Sequence, residues 1–431
     1  MSTASVTVSA TAPAVPVSAS GTRRLPWIVV LLFLGSFLNY LDRQTLSILK
    51  PTIKTALALD DSGYAFLVNV FTFCYAAAYI GSGWVVDRIG ARKALTIFVT
   101  GWSLATIGCG LVSSFFAFAA FRALLGIMEP GNYPCTMRAM TLWAPPGRRA
   151  VLMGLAGAGG TIGAVVAAPM IASLATWFSW QMAFIVPGLL GIGFAVAWWF
   201  VYREPQELTG VAVAHPASSP LATAAEPPAL AWSKLWTQRS LWGIVLARFI
   251  SDPVWYFCLF WMPGYFQEQR GLSLQASGMV GWIPFLVGNL GALGVGFLSD
   301  RLGRRLGDPM KARQRLLMIA ACFGPLAMLV PHAPGMTLTL ILLSLVALVC
   351  LVWLLLLGPL VADTFPAGNA ASVWAISGAF GAIGAILFNY GVGRISGALG
   401  VERMFLVMGV LHLVAAALLK VCVRPVKAGE P

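Results

Sequence analysis

The sequence predicts an all-α membrane protein of twelve transmembrane helices, arranged as two six-helix bundles with pseudo-two-fold symmetry. Three observations predict it. Hydrophobic residues make up 59% of the 431-residue chain and charged residues only 10%, with a mean hydropathy of +0.83. A water-exposed surface of this size cannot accommodate that composition. Apolar runs of roughly bilayer length, about 20 residues each, recur twelve times, six on either side of one polar stretch. Finally, the spelling G-x-x-x-D-R-x-G occurs at Gly83–Gly90 and again at Gly296–Gly303, 213 positions apart. Each copy ends an apolar run and is followed by basic residues, so it reads as one short turn used once in each half.

In order, residues 1–22 are uncharged and rich in Ser, Thr, Ala, Val and Pro, the composition of a disordered tail. Arg23 and Arg24 precede the first run, and no small-residue cleavage site follows a short apolar core, so no removable signal is expected. The N-terminal bundle is expected over 23–202, with runs at about 26–47, 64–86, 94–113, 115–137, 150–173 and 180–202. Residues 203–239 carry Ala, Pro, Ser and Glu without the apolar length to span, and read as a linker. The C-terminal bundle follows over 240–424, with runs at about 240–265, 276–298, 315–332, 336–361, 370–392 and 401–423. Residues 425–431 form a short tail.

Alternating the runs puts twenty basic residues on one side and only five, Lys50, Lys54, Arg270, Arg394 and Arg403, on the other. The positive-inside rule then places both termini in the cytoplasm. The net charge of +13 is spread over these short loops, not gathered into one basic domain, which argues for membrane topology over nucleic-acid binding. The seven cysteines stand singly, with no C-x-x-C pair, and are expected to be packing residues, with no metal site. His215, His332 and His412 have no nucleophile or carboxylate at triad or ligand spacing, which excludes a membrane-embedded enzyme.

Arg43, Arg122 and Arg248, with Asp42, Glu129 and Asp252, lie inside the runs, where an ionisable group is costly unless paired or facing water. An aqueous cavity between the bundles is the expected location. Arg43 belongs to Asn39-Tyr40-Leu41-Asp42-Arg43, which reads either as part of that cavity or as a solvated helix end. Arg122 and Glu129, seven apart, fall on one helix face and should look into one space, as a structural ion pair or as a switch. An arginine offers a carboxylate a planar fork, and a buried carboxylate beside arginines is balanced between charged and protonated forms. Asp252, before Pro253, either belongs to the cavity or satisfies backbone groups at a helix break. In the repeated motif, Asp87 and Asp300 are expected to accept hydrogen bonds from the N-terminus of a neighbouring helix.

The chain resembles the major facilitator superfamily over residues 24–424. Asn39 to Arg43, Glu129, and Trp180-Gln181-Met182-Ala183-Phe184 resemble its anion:cation symporter family. Ala247-Arg248-Phe249-Ile250-Ser251-Asp252-Pro253-Val254-Trp255, with Phe260-Trp261-Met262-Pro263, resembles the hexuronate, galactonate and glucarate transporters within it. The resemblance implies proton-driven import of an organic anion, typically a hexuronate, aldonate or aldarate, by alternating access. It implies a monomer in the plasma (inner) membrane, with no cofactor; sodium remains an alternative coupling ion. Arg43 would bind the substrate carboxylate, with Asn39, Tyr40 and Tyr75 beside it. Asp42 and Glu129 would carry the proton, with Arg122 as their switching partner. Gly83, Asp87, Arg88, Gly90, Gly296, Asp300, Arg301 and Gly303 would form the cytoplasmic gate.

From the C-terminal bundle, Trp255, Tyr256, Trp261, Asn289, Trp374 and Ser377 are the candidate substrate contacts. The fifth run departs from relatives that place an amide there: Gly157, Gly159, Gly160 and Gly163 leave Thr161 as its polar side chain. An aromatic or other carboxylic acid is therefore the alternative substrate. A drug:proton antiporter is a weaker alternative, because the glycines lead to Ala168-Pro169-Met170 and not to a Gly-Pro pair.

Overall fold

The computed structural model describes residues 19–145, 148–204, 230 and 232–424. The C-terminal tail and most of the N-terminal tail and linker lie outside them. The first helix begins at Ala19, inside the stretch assigned to the tail, and a short helix, Trp232–Thr237, occupies part of the expected linker.

The described residues are helical, without strands, and trace twelve passes. The first is Ala19–Ile48. A single helical stretch, Asp61–Leu111, contains the second and third, because Gly90 at φ 82° breaks it into a hairpin. The fourth is interrupted: Phe115–Met128 and Asn132–Trp143 flank a 3-10 turn, Glu129–Gly131, where Pro130 cannot donate a backbone hydrogen bond. Arg149–Trp177 and Met182–Val201 complete the half.

In the second half, the seventh pass is Arg239–Phe260 extended by Met262–Glu268, and the eighth is Leu274–Val280 with Ile283–Leu306. The ninth is Pro309–Ala321 with a 3-10 segment, Gly324–Leu329. Gly335–Thr364, Ala367–Leu399 and Glu402–Cys422 follow. Nine segments among the described residues are long and apolar enough to cross a membrane. The fourth and ninth passes are broken into shorter pieces, and the second and third share one stretch across Gly90.

The two halves pack by the same device. The first pass lies against the fifth so closely that a Cβ on Gly159 would sit 2.0 Å from the Phe33 carbonyl oxygen, and one on Gly163 2.5 Å from that of Phe37. In the second half the seventh and eleventh passes meet likewise, with Gly384 against the Phe249 carbonyl oxygen at 2.1 Å. Small residues allow such backbone contact in a medium where hydrophobic burial does not drive helix association.

Among the described residues, the hydrogen bonds and ion pairs that join the halves gather at one end, around Lys50 and Glu268. Lys50 and Lys54 pair with Glu268 at 2.6 and 3.2 Å. Tyr64 donates to the Phe260 carbonyl at 2.6 Å, Asn69 to Ile386 at 3.1 Å, and Ser396 to Asp61 at 2.7 Å. Burial alone would raise the pKa of Asp61, but the Lys50 charge and hydrogen bonds from Lys54 and Ser396 outweigh it and hold the carboxyl at about 2. At the opposite end the Asp87 side chain is 81% exposed, and Phe297, in the second motif copy, is exposed on the other half. Among the described residues, the halves are thus joined by hydrogen bonds and ion pairs at one end.

Candidate functional site

The first, second and fourth passes assemble a charged cluster in the N-terminal half. Arg43 donates from Nε and Nη2 to one oxygen of Glu129, at 3.0 and 2.7 Å. Its side chain keeps 14% exposure while that of Glu129 keeps none. The guanidinium lies 4.6 Å from the Tyr75 ring centre, 5.4 Å from Tyr40 and 5.6 Å from Phe71, so the exposed arginine has an aromatic surround. Asn39 donates to the Glu129 carbonyl at 3.3 Å, which also accepts the Asn132 N–H.

Arg122 and Glu129 are both buried, as their spacing suggested, but the partner of Glu129 is Arg43. Between Arg122 and Glu129 the helix is regular, with the Glu129 N–H bonded to the Leu125 carbonyl, and the 3-10 turn begins only at Glu129. Arg122 rests on Phe71 at 4.5 Å, and among the described residues none of its three side-chain nitrogens has a hydrogen-bond partner. Both oxygens of Asp42 and the second oxygen of Glu129 are likewise buried and unpartnered. The charges of Glu129 and Arg122 act on Asp42. An unpaired buried ion is the costliest arrangement available to these groups, of the order of several kcal/mol each. Binding, proton transfer or side-chain movement here would relieve that cost.

Beside this cluster an open space of about 400 Å³ lies between the halves, walled by Tyr40, Gly157, Gly160 and Thr161 from one and Trp255, Phe285 and Asn289 from the other. Glycine at 160 gives the Tyr40 ring its room: a Cβ there would stand 2.8 Å from the ring. Trp255 meets Phe285 edge to face at 5.8 Å, and Asn289 donates to the Phe285 carbonyl, leaving its amide oxygen for the cavity.

A second cluster lies in the C-terminal half. Arg248 donates from Nε and Nη2 to one oxygen of Asp252, at 3.0 and 2.8 Å. Asp252 therefore serves an ion pair, and Arg239–Phe260 remains one helix through Pro253. Trp374 lies 4.5 Å from the Arg248 guanidinium and Ser377 3.5 Å from its Nη1. Tyr256 packs on Phe260, with ring centres 6.1 Å apart. Trp261 is elsewhere: it is buried in the closed end, bonded to Asn389 at 3.1 Å and 4.6 Å beneath the Lys50 ammonium.

The motif loops differ from expectation. Asp87 does not cap a helix; Glu204, at the end of the sixth pass, accepts the Ala91 N–H at 2.7 Å just after the break at Gly90. Glu204 also takes two bonds from Arg138, both at 3.1 Å, and Arg138 reaches the Asp87 carbonyl at 3.3 Å. Arg88 lies over Trp84 at 5.2 Å, and Gly83 borders open space.

The second copy is not a turn. Gly296, Asp300, Arg301 and Gly303 continue the helix Ile283–Leu306, and the chain reverses at Gly307, φ 62°, before Asp308 caps the next helix at the Lys311 N–H. Gly303 instead allows the Pro309 backbone to approach. Asp300 is exposed, and its charge acts on Arg313, which is paired with Asp363. Arg138 and Glu204 were thus not among the sequence candidates, and Arg248 stood out as an ionisable residue within a run but was given no role of its own; for Glu204, its position just after the sixth run, before Pro205, was the one available signal.

The Major Facilitator Superfamily profile matches residues 32–388. The chain belongs to the major facilitator superfamily. It is a multi-pass membrane transporter, in a family of transporters and not of enzymes. It is 33% identical over 329 residues to the probable L-galactonate transporter of Escherichia coli (strain K12), covering 75% of this chain and 72% of that one. It is 25% identical to the hexuronate transporter of the same organism, covering 90% and 92%. Among solved structures, a bacterial homologue of the human lysosomal transporter Spinster, inward-facing and occupied, superposes with a TM-score of 0.75 at 20% identity, covering 92% and 96%. That likeness concerns the fold alone.

Proposed function

We propose that the protein imports a sugar acid across the plasma (inner) membrane by proton symport, alternating access between its two sides. The observation that carries this reading is the Arg43–Glu129 pair: a partly exposed guanidinium held by a fully buried carboxylate at 2.7 Å. While Glu129 is charged, it occupies the donors that an incoming carboxylate needs. A proton on Glu129 removes that competitor, and the substrate carboxylate takes the fork. Asp42 is the second proton carrier and Arg122 the cation that either acid can capture when it is charged. Relatives named for L-galactonate and hexuronate supply the substrate class.

The two bundles, 23–202 and 240–424, work as rigid bodies joined by the 203–239 linker, and the protein acts as a monomer. With both termini in the cytoplasm, the end joined around Lys50 and Glu268 faces outward, so the conformation is inward-open. The motif residues, with Arg138 and Glu204, close that inner side in the opposite state. Protons are the coupling ion, as the buried carboxylates favour.

A second reading, an aromatic carboxylate, is favoured by the cavity walls. Tyr40, Trp255 and Phe285 offer aromatic faces there beside Ala164, Leu259 and Leu351, and Thr161 and Asn289 add the polar groups. Uptake by proteoliposomes of labelled glucuronate, galacturonate, galactonate, glucarate and a benzoate, with and without an inward proton gradient, tests both. Gradient-stimulated accumulation of a sugar acid supports the first reading; accumulation of the benzoate alone replaces it with the second.

A further inference from the structure

The last part of the linker is fixed to the C-terminal half. Buried Asn369 grips one peptide unit of it, accepting the Leu230 N–H at 2.7 Å and donating to the Leu230 carbonyl at 3.0 Å. The short helix that follows, Trp232–Thr237, is seated by the buried Leu235 and by Trp242, whose indole N–H donates to the Trp236 carbonyl at 2.9 Å. Its two tryptophans are not covered. Trp232 is 59% exposed and Trp236 39%, and among the described residues neither indole N–H has a hydrogen-bond partner.

Those rings continue the lipid-facing surface of the seventh pass. Trp242 and Leu246, one turn apart, are exposed on that pass, and Trp236 packs on Trp242 with ring centres 5.8 Å apart. The short helix therefore sits where a lipid-facing surface meets water, the level at which tryptophan is favoured in membrane proteins. Cations stand in the same place. Lys234 and Arg239 are exposed on either side of Trp236 in the chain. Ser240 Oγ donates to the Arg424 carbonyl at 2.8 Å and accepts the Arg424 N–H at 3.0 Å, which sets the exposed Arg424 beside Arg239. Neither Leu230–Ser251 nor Arg403–Arg424 contains an acidic residue, and among the described residues none of these three cations is ion-paired.

We propose that Trp232–Thr237 is a lipid-binding element, whose tryptophans enter the headgroup region while Lys234, Arg239 and Arg424 hold the phosphate of an anionic phospholipid. Two observations select a lipid over a protein as the occupant. The aromatic patch is continuous with the lipid face of the seventh pass, and its charge is of one sign, the combination that binds an anionic bilayer surface. The linker is then a tether only up to Leu230, and its last part is anchored to both the C-terminal half and the membrane. The inference needs the membrane-spanning fold alone and is independent of which acid is carried.

Ser233→Cys on a cysteine-free background of the full chain puts a fluorophore on the exposed side of this helix. In phosphatidylcholine nanodiscs, quenching by a fixed fraction of spin-labelled phosphatidylglycerol or spin-labelled phosphatidylcholine reports which lipid lies beside it. The anionic lipid should be preferred about threefold or more at low salt, within the roughly fivefold that one cation near an anionic surface contributes. Salt at about 0.5 M should remove most of that preference, a comparison that needs no further variant to fold. Lys234→Gln combined with Arg239→Gln should bring the preference close to one while quenching by phosphatidylcholine persists. Equal quenching by both lipids at low salt overturns the phosphate site and leaves a plain interfacial anchor. Quenching by neither overturns the placement on the bilayer and turns the patch toward a protein partner. A preference that survives both salt and the double variant overturns the assignment to these cations.

Discussion

At the closed end, Lys50, Lys54, Asp61 and Glu268 form a network in which every charge has a partner within 3.2 Å. In the N-terminal core, Asp42 and Arg122 are buried with none among the described residues, and Glu129 uses one oxygen of two. The contrast separates a latch from a responsive site. A fully paired network loses its partners only when the bundles move apart. The core cluster carries unspent charge, and its energy changes with each proton or anion that enters.

The largest effect should come from breaking the core cluster at Arg43. Arg43→Ala removes the one partly exposed guanidinium of that cluster and should weaken substrate binding by about 2–5 kcal/mol, enough to abolish measurable uptake. Calorimetric titration checks it, and retained affinity would remove Arg43 from the site. Glu129→Gln should spare binding and exchange, because it resembles the protonated acid, yet abolish accumulation against a gradient. Counterflow compared with proton-driven uptake separates the two activities.

The latch should give smaller, conformational effects. Lys50→Met leaves Glu268 with Lys54 and removes the ammonium packed over Trp261, which should open the outer end more often. On a cysteine-free background, Asn69→Cys should then react several-fold faster with a membrane-impermeant reagent, since Asn69 bonds across the interface. The latch should also ignore physiological pH. Asp61 titrates at about 2, below its ordinary value of 3.8. Its contribution is therefore complete above that ordinary value and is lost only as pH falls through about 2. The same cysteine reactivity, corrected for reagent chemistry, should be flat from about pH 5 to 8 if the latch alone sets it.

The smallest effect concerns stability. Glu204→Gln weakens the cap on Ala91 and the paired bonds from Arg138, and should lower unfolding stability by about 1–3 kcal/mol. Thermal unfolding in detergent measures it.

Much of this was legible in the chain itself. The twelve passes follow from apolar length and from the repeated motif, since a bilayer demands both helical hydrogen bonding and a fixed span. The chemistry-bearing residues Arg43, Arg122, Glu129 and Asp252 stood out because ionisable groups are rare at that depth. Their partners did not. Glu129 reaches Arg43, 86 residues away, because Asn39 and Arg43 on the first pass lie against it, and a seven-residue spacing along one helix cannot anticipate a contact between helices. Glu204 replaces Asp87 as the cap because the sixth pass ends beside Gly90, a contact of tertiary packing. Trp261 looked like a substrate contact and is part of the closed end, because a single aromatic in a span carries no signal of which face it presents. The two motif copies share a spelling but not a backbone: one breaks at Gly90, the other stays helical to Leu306.

Proton movement that accompanies substrate entry tests coupled transport most directly. Proteoliposomes with an entrapped pH dye and no imposed gradient would receive a transported sugar acid from outside. Symport predicts that the lumen acidifies as the acid enters, and that Glu129→Gln abolishes the acidification. Entry of the acid with no change in lumenal pH would contradict proton coupling and leave a facilitator.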